Sequence, residues 1–140
     1  MKILLAVDGS PYSKKMLAYL STHESLLNGE NDFTVFTVQA ALPPRARAAV
    51  GKTIVDTYYA EESEKVLAPV SKFLLRHGID AKSQWKVGPA GATIAKLATE
   101  GKFDLVVMGS HGHGAVVSMV MGSVANQVLA HCKVPVLLVR

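Results

Sequence analysis

Cysteine is all but missing: Cys132 is the single thiol in 140 residues. No intrachain disulfide can form, which excludes a secreted disulfide-stapled scaffold and fits a reducing compartment, so a cytoplasmic protein is expected. Long apolar runs are missing as well. Ile3 to Val7 is apolar, but Asp8 ends that run, leaving it shorter than the apolar region of a signal peptide. Nothing approaches the roughly 18 to 20 apolar residues of a membrane span, so no membrane partner is expected. Aromatics amount to only 6% of the chain, and the densest basic groups, Lys14-Lys15 and the pair Arg45/Arg47, form no stripe interleaved with them. The net charge of +4 and the isoelectric point near 9.3 therefore read as solubility rather than as a nucleic-acid surface.

What is present is a globular balance of 49% apolar and 19% charged residues, at a length that suits one domain spanning residues 1–140. Lys2 to Val7 lacks polar alternation, as a central parallel strand covered on both faces requires. Asp8-Gly9-Ser10-Pro11 then supplies a turn, with Ser10 placed to cap a helix and Pro11 suited to its first position. Met16, Leu17, Leu20 and Leu27 predict one apolar helical face, closed by Asn28-Gly29. Phe33 to Val38 predicts a strand rich in aromatic and β-branched residues.

Residues 39–53, with Pro43-Pro44 and Gly51, show no period and predict an irregular connection. A long helix follows to His77-Gly78, with a kink expected at Pro69. Ala81 to Val87 alternates, with Lys82, Gln84 and Lys86 on one face, which belongs at a sheet edge. A helix from Gly88-Pro89 to Gly101, a buried strand at Asp104 to Met108, a helix over Ser123 to His131 and a strand over Pro135 to Arg140 complete a β-α repeat. Such alternation predicts a parallel sheet with helices on both faces. The last strand is apolar on both faces, so either self-association or helix packing must cover it.

The segment from Met108 to Val124 carries the chemistry. Gly109, Gly112 and Gly114 predict positive φ and close approach of a ligand to the main chain. Gly122-Ser123 opens a helix whose free N–H groups and positive dipole end attract anions. Residues 109–123 hold no Lys, Arg, Asp or Glu, so neither a Walker lysine nor a magnesium-binding carboxylate accompanies them. His111 and His113 are the side chains there that titrate near neutral pH. Ala115-Val-Val and Met119-Val-Met read as core packing. His23, His77 and His131 read as surface or helix-end residues and Cys132 as a small buried hydrophobe.

Gly109-x2-Gly112-x9-Gly122-Ser123 resembles the G-2x-G-9x-G-(S/T) signature of the ATP-binding branch of the universal stress proteins. Ile3 to Ser10, Phe103 to Gly112 and Pro135 to Val139 are similar to that family's other blocks, in the same order. The resemblance implies a doubly wound α/β fold, adenine nucleotide alpha hydrolase-like, with five parallel strands in the order 3-2-1-4-5. The order reverses between the first and fourth strands, where such sheets bind ligands. ATP or AMP is the implied ligand, with magnesium a candidate companion. Asp8 would take ribose hydroxyls, Ala6 and Val38 would line the adenine pocket, and Met108, Gly109, Gly112, Gly122, Ser123 and Val124 would hold ribose and phosphates. His113 stands where many relatives carry Arg or Lys, which predicts tighter nucleotide binding as pH falls from about 8 to 6, with His111 a second histidine beside the phosphate. A homodimeric regulator that reads the nucleotide is the implied function, and a slow ATP-hydrolysing enzyme of the same fold is the alternative.

Overall fold

The computed structural model describes residues 1–114 and 120–140. Along the chain the elements are β1 (Lys2–Ala6), α1 (Pro11–Ser21), β2 (Asp32–Gln39), α2 (Pro44–Val50), α3 (Lys52–Arg76), β3 (Lys82–Val87), α4 (Ala90–Glu100), β4 (Leu105–Gly109), α5 (Ser123–His131) and β5 (Val136–Val139). The strands form one sheet in the order β3-β2-β1-β4-β5, and every pairing is parallel. This is the expected architecture.

Successive strand residues point to opposite faces, and the unbroken apolar run of β1 uses both. Ile3, Leu5 and Val7 enter one core with Met16 and Leu20 of α1 and Leu67, Val70 and Leu74 of α3. Leu4 and Ala6 enter the other with Ile94, Ala95 and Ala98 of α4 and Ala125 and Val128 of α5. Helices therefore cover both faces. Full burial of each large side chain contributes on the order of 1.5–3 kcal/mol before conformational entropy is counted.

Several local expectations are corrected. The first helix stops at Ser21 rather than at Asn28-Gly29, with the Thr22 hydroxyl donating to the Tyr19 carbonyl at 2.9 Å. Leu27 lies beyond the helix yet still joins the core, which is why its spacing mimicked a helical face. Ser10 occupies the N-cap position without making a capping bond; its hydroxyl is buried and has no partner among the described residues. Asp8 takes part of that role, its Oδ1 accepting the Ser10 N–H at 2.9 Å. The connection after β2 contains α2, a helix with no buried residue, so it left no apolar period to detect. Pro69, where the kink is expected, lies inside α3.

β3 is one edge of the sheet, paired with β2, and all its residues are exposed. β5 is the other edge. Its Leu137 packs on the first core and its Val136 and Leu138 on the second, so helix packing covers its side chains and not its outer backbone. His23, His77 and His131 are exposed and Cys132 is buried, as expected. Of the segments read as core packing, residues 115–119 lie outside the described residues; Val120 is 80% exposed and Met121 packs against the core.

Candidate functional site

Beyond the carboxyl ends of β1 and β4, where the strand order reverses, lies a cavity of about 290 Å³. Every residue named from the sequence lines it: Ala6 and Asp8 from the end of β1, Val38 from β2, Met108 and Gly109 from β4, His111, Gly112 and His113 from the glycine segment, and Gly122, Ser123 and Val124 at the start of α5. Gly114, read from the sequence as allowing close approach of a ligand, lines it as well, as does Val7 beside Asp8; sequence reasoning missed Ser13, Ala90, Ile94 and Ala125, which line it too. Ala90 and Ile94 carried a helical signal but none for a ligand. Ser13 is one turn beyond the Ser10 cap position, and that spacing was its only trace in the sequence.

The cavity has two chemical ends. Ala6, Val38, Ile94 and Met108 make an apolar side that suits a flat ring. At the other side α5 begins, with Gly122 at its N-cap position and Ser123 as its first residue. The first N–H groups of a helix have no partner within it and carry partial positive charge, so this end has the chemistry to receive an anion without any charged side chain.

Positive φ is not what most glycines of this segment provide. Among them only Gly114 lies in the left-handed region, at φ +71°. Crowding explains the others. A Cβ on Gly109 would stand 2.7 Å from Tyr12 Cβ, one on Gly112 2.7 Å from Asp8 Oδ2, and one on Gly122 3.1 Å from His111 Cα. The absent side chains let α1, the end of β1 and the two ends of the glycine segment close on one point. Gly122 N–H donates to the Ser110 carbonyl at 2.7 Å, which pinches the base of that segment shut.

Asp8 is the acid in this cavity. Its Oδ1 accepts from the Ser10 N–H and the Ser13 hydroxyl, each at 2.9 Å, while its own N–H donates to Ser13 Oγ at 3.1 Å. His113 Nε2–H donates to the Asp8 carbonyl at 2.8 Å; because a carbonyl only accepts, Nε2 must carry the proton. The histidine expected beside phosphate is thus anchored to the β1 turn while it lines the cavity. His111 pairs through Nδ1 with Ser110 Oγ at 2.8 Å and lies against the Tyr12 ring, 4.8 Å between centroids. Among the described residues no three His, Cys, Asp or Glu side chains come together as a metal site.

A doubly wound α/β sheet with a cleft at its switch point, one apolar end and one helix N-terminus defines the class of fold to which this chain belongs, and the cleft has the chemistry to suit a small anionic ligand. The universal stress protein family model matches residues 1–140. This chain belongs to that family. It is 32% identical to the universal stress protein Slr1230 of Synechocystis over 139 residues, which cover 99% of this chain and 42% of that protein. The chain spans about two fifths of the length of that relative. A universal stress protein of Thermus aquaticus is 31% identical, with 99% of this chain and 97% of that protein covered. Among solved structures, the protein MJ0577 of Methanocaldococcus jannaschii superposes with a TM-score of 0.82 at 24% identity, covering 99% of this chain and 94% of that one. A family member from Arabidopsis thaliana with AMP bound gives 0.70 at 16% identity, covering 99% and 90%. A universal stress protein from Archaeoglobus fulgidus in complex with dAMP gives 0.66 at 22% identity, covering 100% and 98%. These likenesses establish the fold.

Proposed function

We propose that the chain binds an adenine nucleotide, ATP or AMP, at the β1/β4 switch point and acts as a cytoplasmic stress-response regulator whose conformation or partners change with occupancy. The observation that carries this reading is the convergence of Ala6, Asp8, Val38, Met108, His111, His113 and the three motif glycines on one cavity. Its chemistry agrees with the ligand: an apolar slot for the base, a carboxylate beside it for sugar hydroxyls, and helix N–H groups for phosphate. Relatives of the same fold that hold AMP and dAMP support it further.

The reading gives the protein a binding role rather than a catalytic one. Residues 109–123 contribute no Lys or Arg to stabilise a transferring phosphoryl group. Magnesium, when it accompanies ATP, would be held chiefly through the phosphates. The open β5 edge supports a homodimer formed by pairing two such strands.

Mass spectrometry of nucleotide released from the purified protein, followed by a turnover assay with magnesium, tests the proposal. Retained ATP or AMP without turnover is the expected result. Steady hydrolysis well above background would put a slow ATPase ahead, and failure to bind either nucleotide would overturn the reading.

A further inference from the structure

Asp8 meets the protein through all but one of its polar atoms. Its N–H, its carbonyl and Oδ1 are engaged by Ser13, His113, Ser10 and Ser13 again. Oδ2 is left, with no donor among the described residues, in a side chain that lines the cavity. It faces Gly112, where a Cβ would approach to 2.7 Å, so the residue opposite is the one type that leaves room there.

Ser13 sets this orientation. It sits one turn into α1, is 6% exposed and lines the cavity itself. Its hydroxyl donates to Oδ1 while accepting from the Asp8 N–H, a closed ring of two hydrogen bonds. Turning the carboxylate to bring Oδ1 toward the ligand would break both the Ser13 and the Ser10 bonds to it. A carboxylate only accepts, so the ligand group that meets Oδ2 must donate. A single oxygen fixed in one direction reads donors by position, where a freely turning carboxylate would follow them.

We propose that Ser13 is a positioning residue that aims Asp8 Oδ2 at the hydroxyls of a vicinal diol, so that the site selects ribonucleotides over 2′-deoxyribonucleotides. The inference rests on the nucleotide reading above and adds the basis of sugar selection. A hydrogen bond to a charged group contributes about 1.5–3 kcal/mol, which corresponds to a preference of roughly 10- to 150-fold for the diol.

Calorimetric titration of AMP and 2′-deoxy-AMP into wild type, Ser13→Ala, Ser13→Cys and Asp8→Asn tests it. Wild type is expected to favour AMP at least tenfold. In Ser13→Ala the ratio falls to about threefold or less, mostly by weakening AMP, while 2′-deoxy-AMP binds nearly as in wild type. Ser13→Cys, close in shape with a weak donor, gives an intermediate ratio and serves where the alanine variant is poorly folded. Asp8→Asn loses the preference. A tenfold preference retained in both Ser13 variants overturns the role of Ser13, as does a parallel loss for both nucleotides, the mark of a merely structural residue. Wild type binding AMP and its deoxy form equally overturns the selection while leaving the nucleotide reading intact. Wild type binding neither overturns both.

Discussion

His113 Nε2–H donates to the carbonyl oxygen of Asp8 at 2.8 Å, tying the glycine segment to the end of the first strand. His113→Leu removes this donor and is expected to weaken nucleotide binding by roughly two- to twelvefold, the loss of one hydrogen bond of about 0.5–1.5 kcal/mol. Calorimetric titration of AMP into both proteins checks it; unchanged affinity removes the His113 bond from the account.

Gly122→Val is expected to weaken nucleotide binding at least tenfold. Gly122 has φ −72°, so the substitution meets no left-handed strain. Instead its Cβ would lie 3.1 Å from His111 Cα and 3.3 Å from the Ser110 carbonyl oxygen, and the branched methyls would push apart the pinched base of the segment. Equilibrium binding of ATP, with circular dichroism as a check of folding, decides the point; unchanged affinity would mean that the anion end of the cavity is elsewhere.

Gly91 at the start of α4 lies directly against Gln127 of α5, where an added Cβ would collide with the Gln127 Cβ and stand 2.6 Å from its Oε1. Replacing a helical glycine normally stabilises by up to about 1 kcal/mol, but here the two helices must separate. The net expectation for Gly91→Ala is a loss of about 1–2 kcal/mol, seen as a melting temperature lower by roughly 3–8 °C. A higher melting temperature would show that the α4/α5 crossing has room to spare.

The proposed dimer has an equally direct test at β5. Pro135 and Val139 direct their carbonyls at β4, accepting from Val106 and Ser110, so the alternate residue Leu138 turns its backbone outward. Leu138→Pro removes a donor from the outer edge and none from the β4 ladder. Size-exclusion chromatography with light scattering is expected to show a dimer for wild type and a monomer for the variant. A wild-type monomer at micromolar concentration would sink the strand-paired dimer.

Where hydrophobic pattern carried the information, the sequence was a sufficient guide. The runs in β1 and β4 are apolar on both faces because both faces are buried, and the lysine-bearing alternation of β3 marks an exposed edge. Where pattern and contact diverge, it was not. α2 buries nothing and so has no period to read. Leu27 is buried without being helical. Gly101 ends α4 as expected, but at φ −77°; Lys102 holds the left-handed conformation at φ +55°, and Gly101 is needed because a Cβ there would meet the Phe103 ring at 2.6 Å. The glycines and Ser123 were legible from motif spacing, and Ala6, Asp8 and Val38 from the family resemblance, but Ser13, Ala90 and Ile94, the reason for the glycines, and the bond between Ser13 and Asp8 depend on which elements meet in space.

The two edges of the sheet carry opposite instructions for assembly. β3 presents Lys82 and Lys86 on an exposed strand, and a second copy stacking there would bring like charges together. β5 carries no charge from Val136 to Val139. A sheet guarded on one side and open on the other can grow in only one direction, and once two open edges meet, none remains. Strand addition at β5, as in the dimer proposed above, would thus be self-terminating: it would yield a closed pair rather than a fibre.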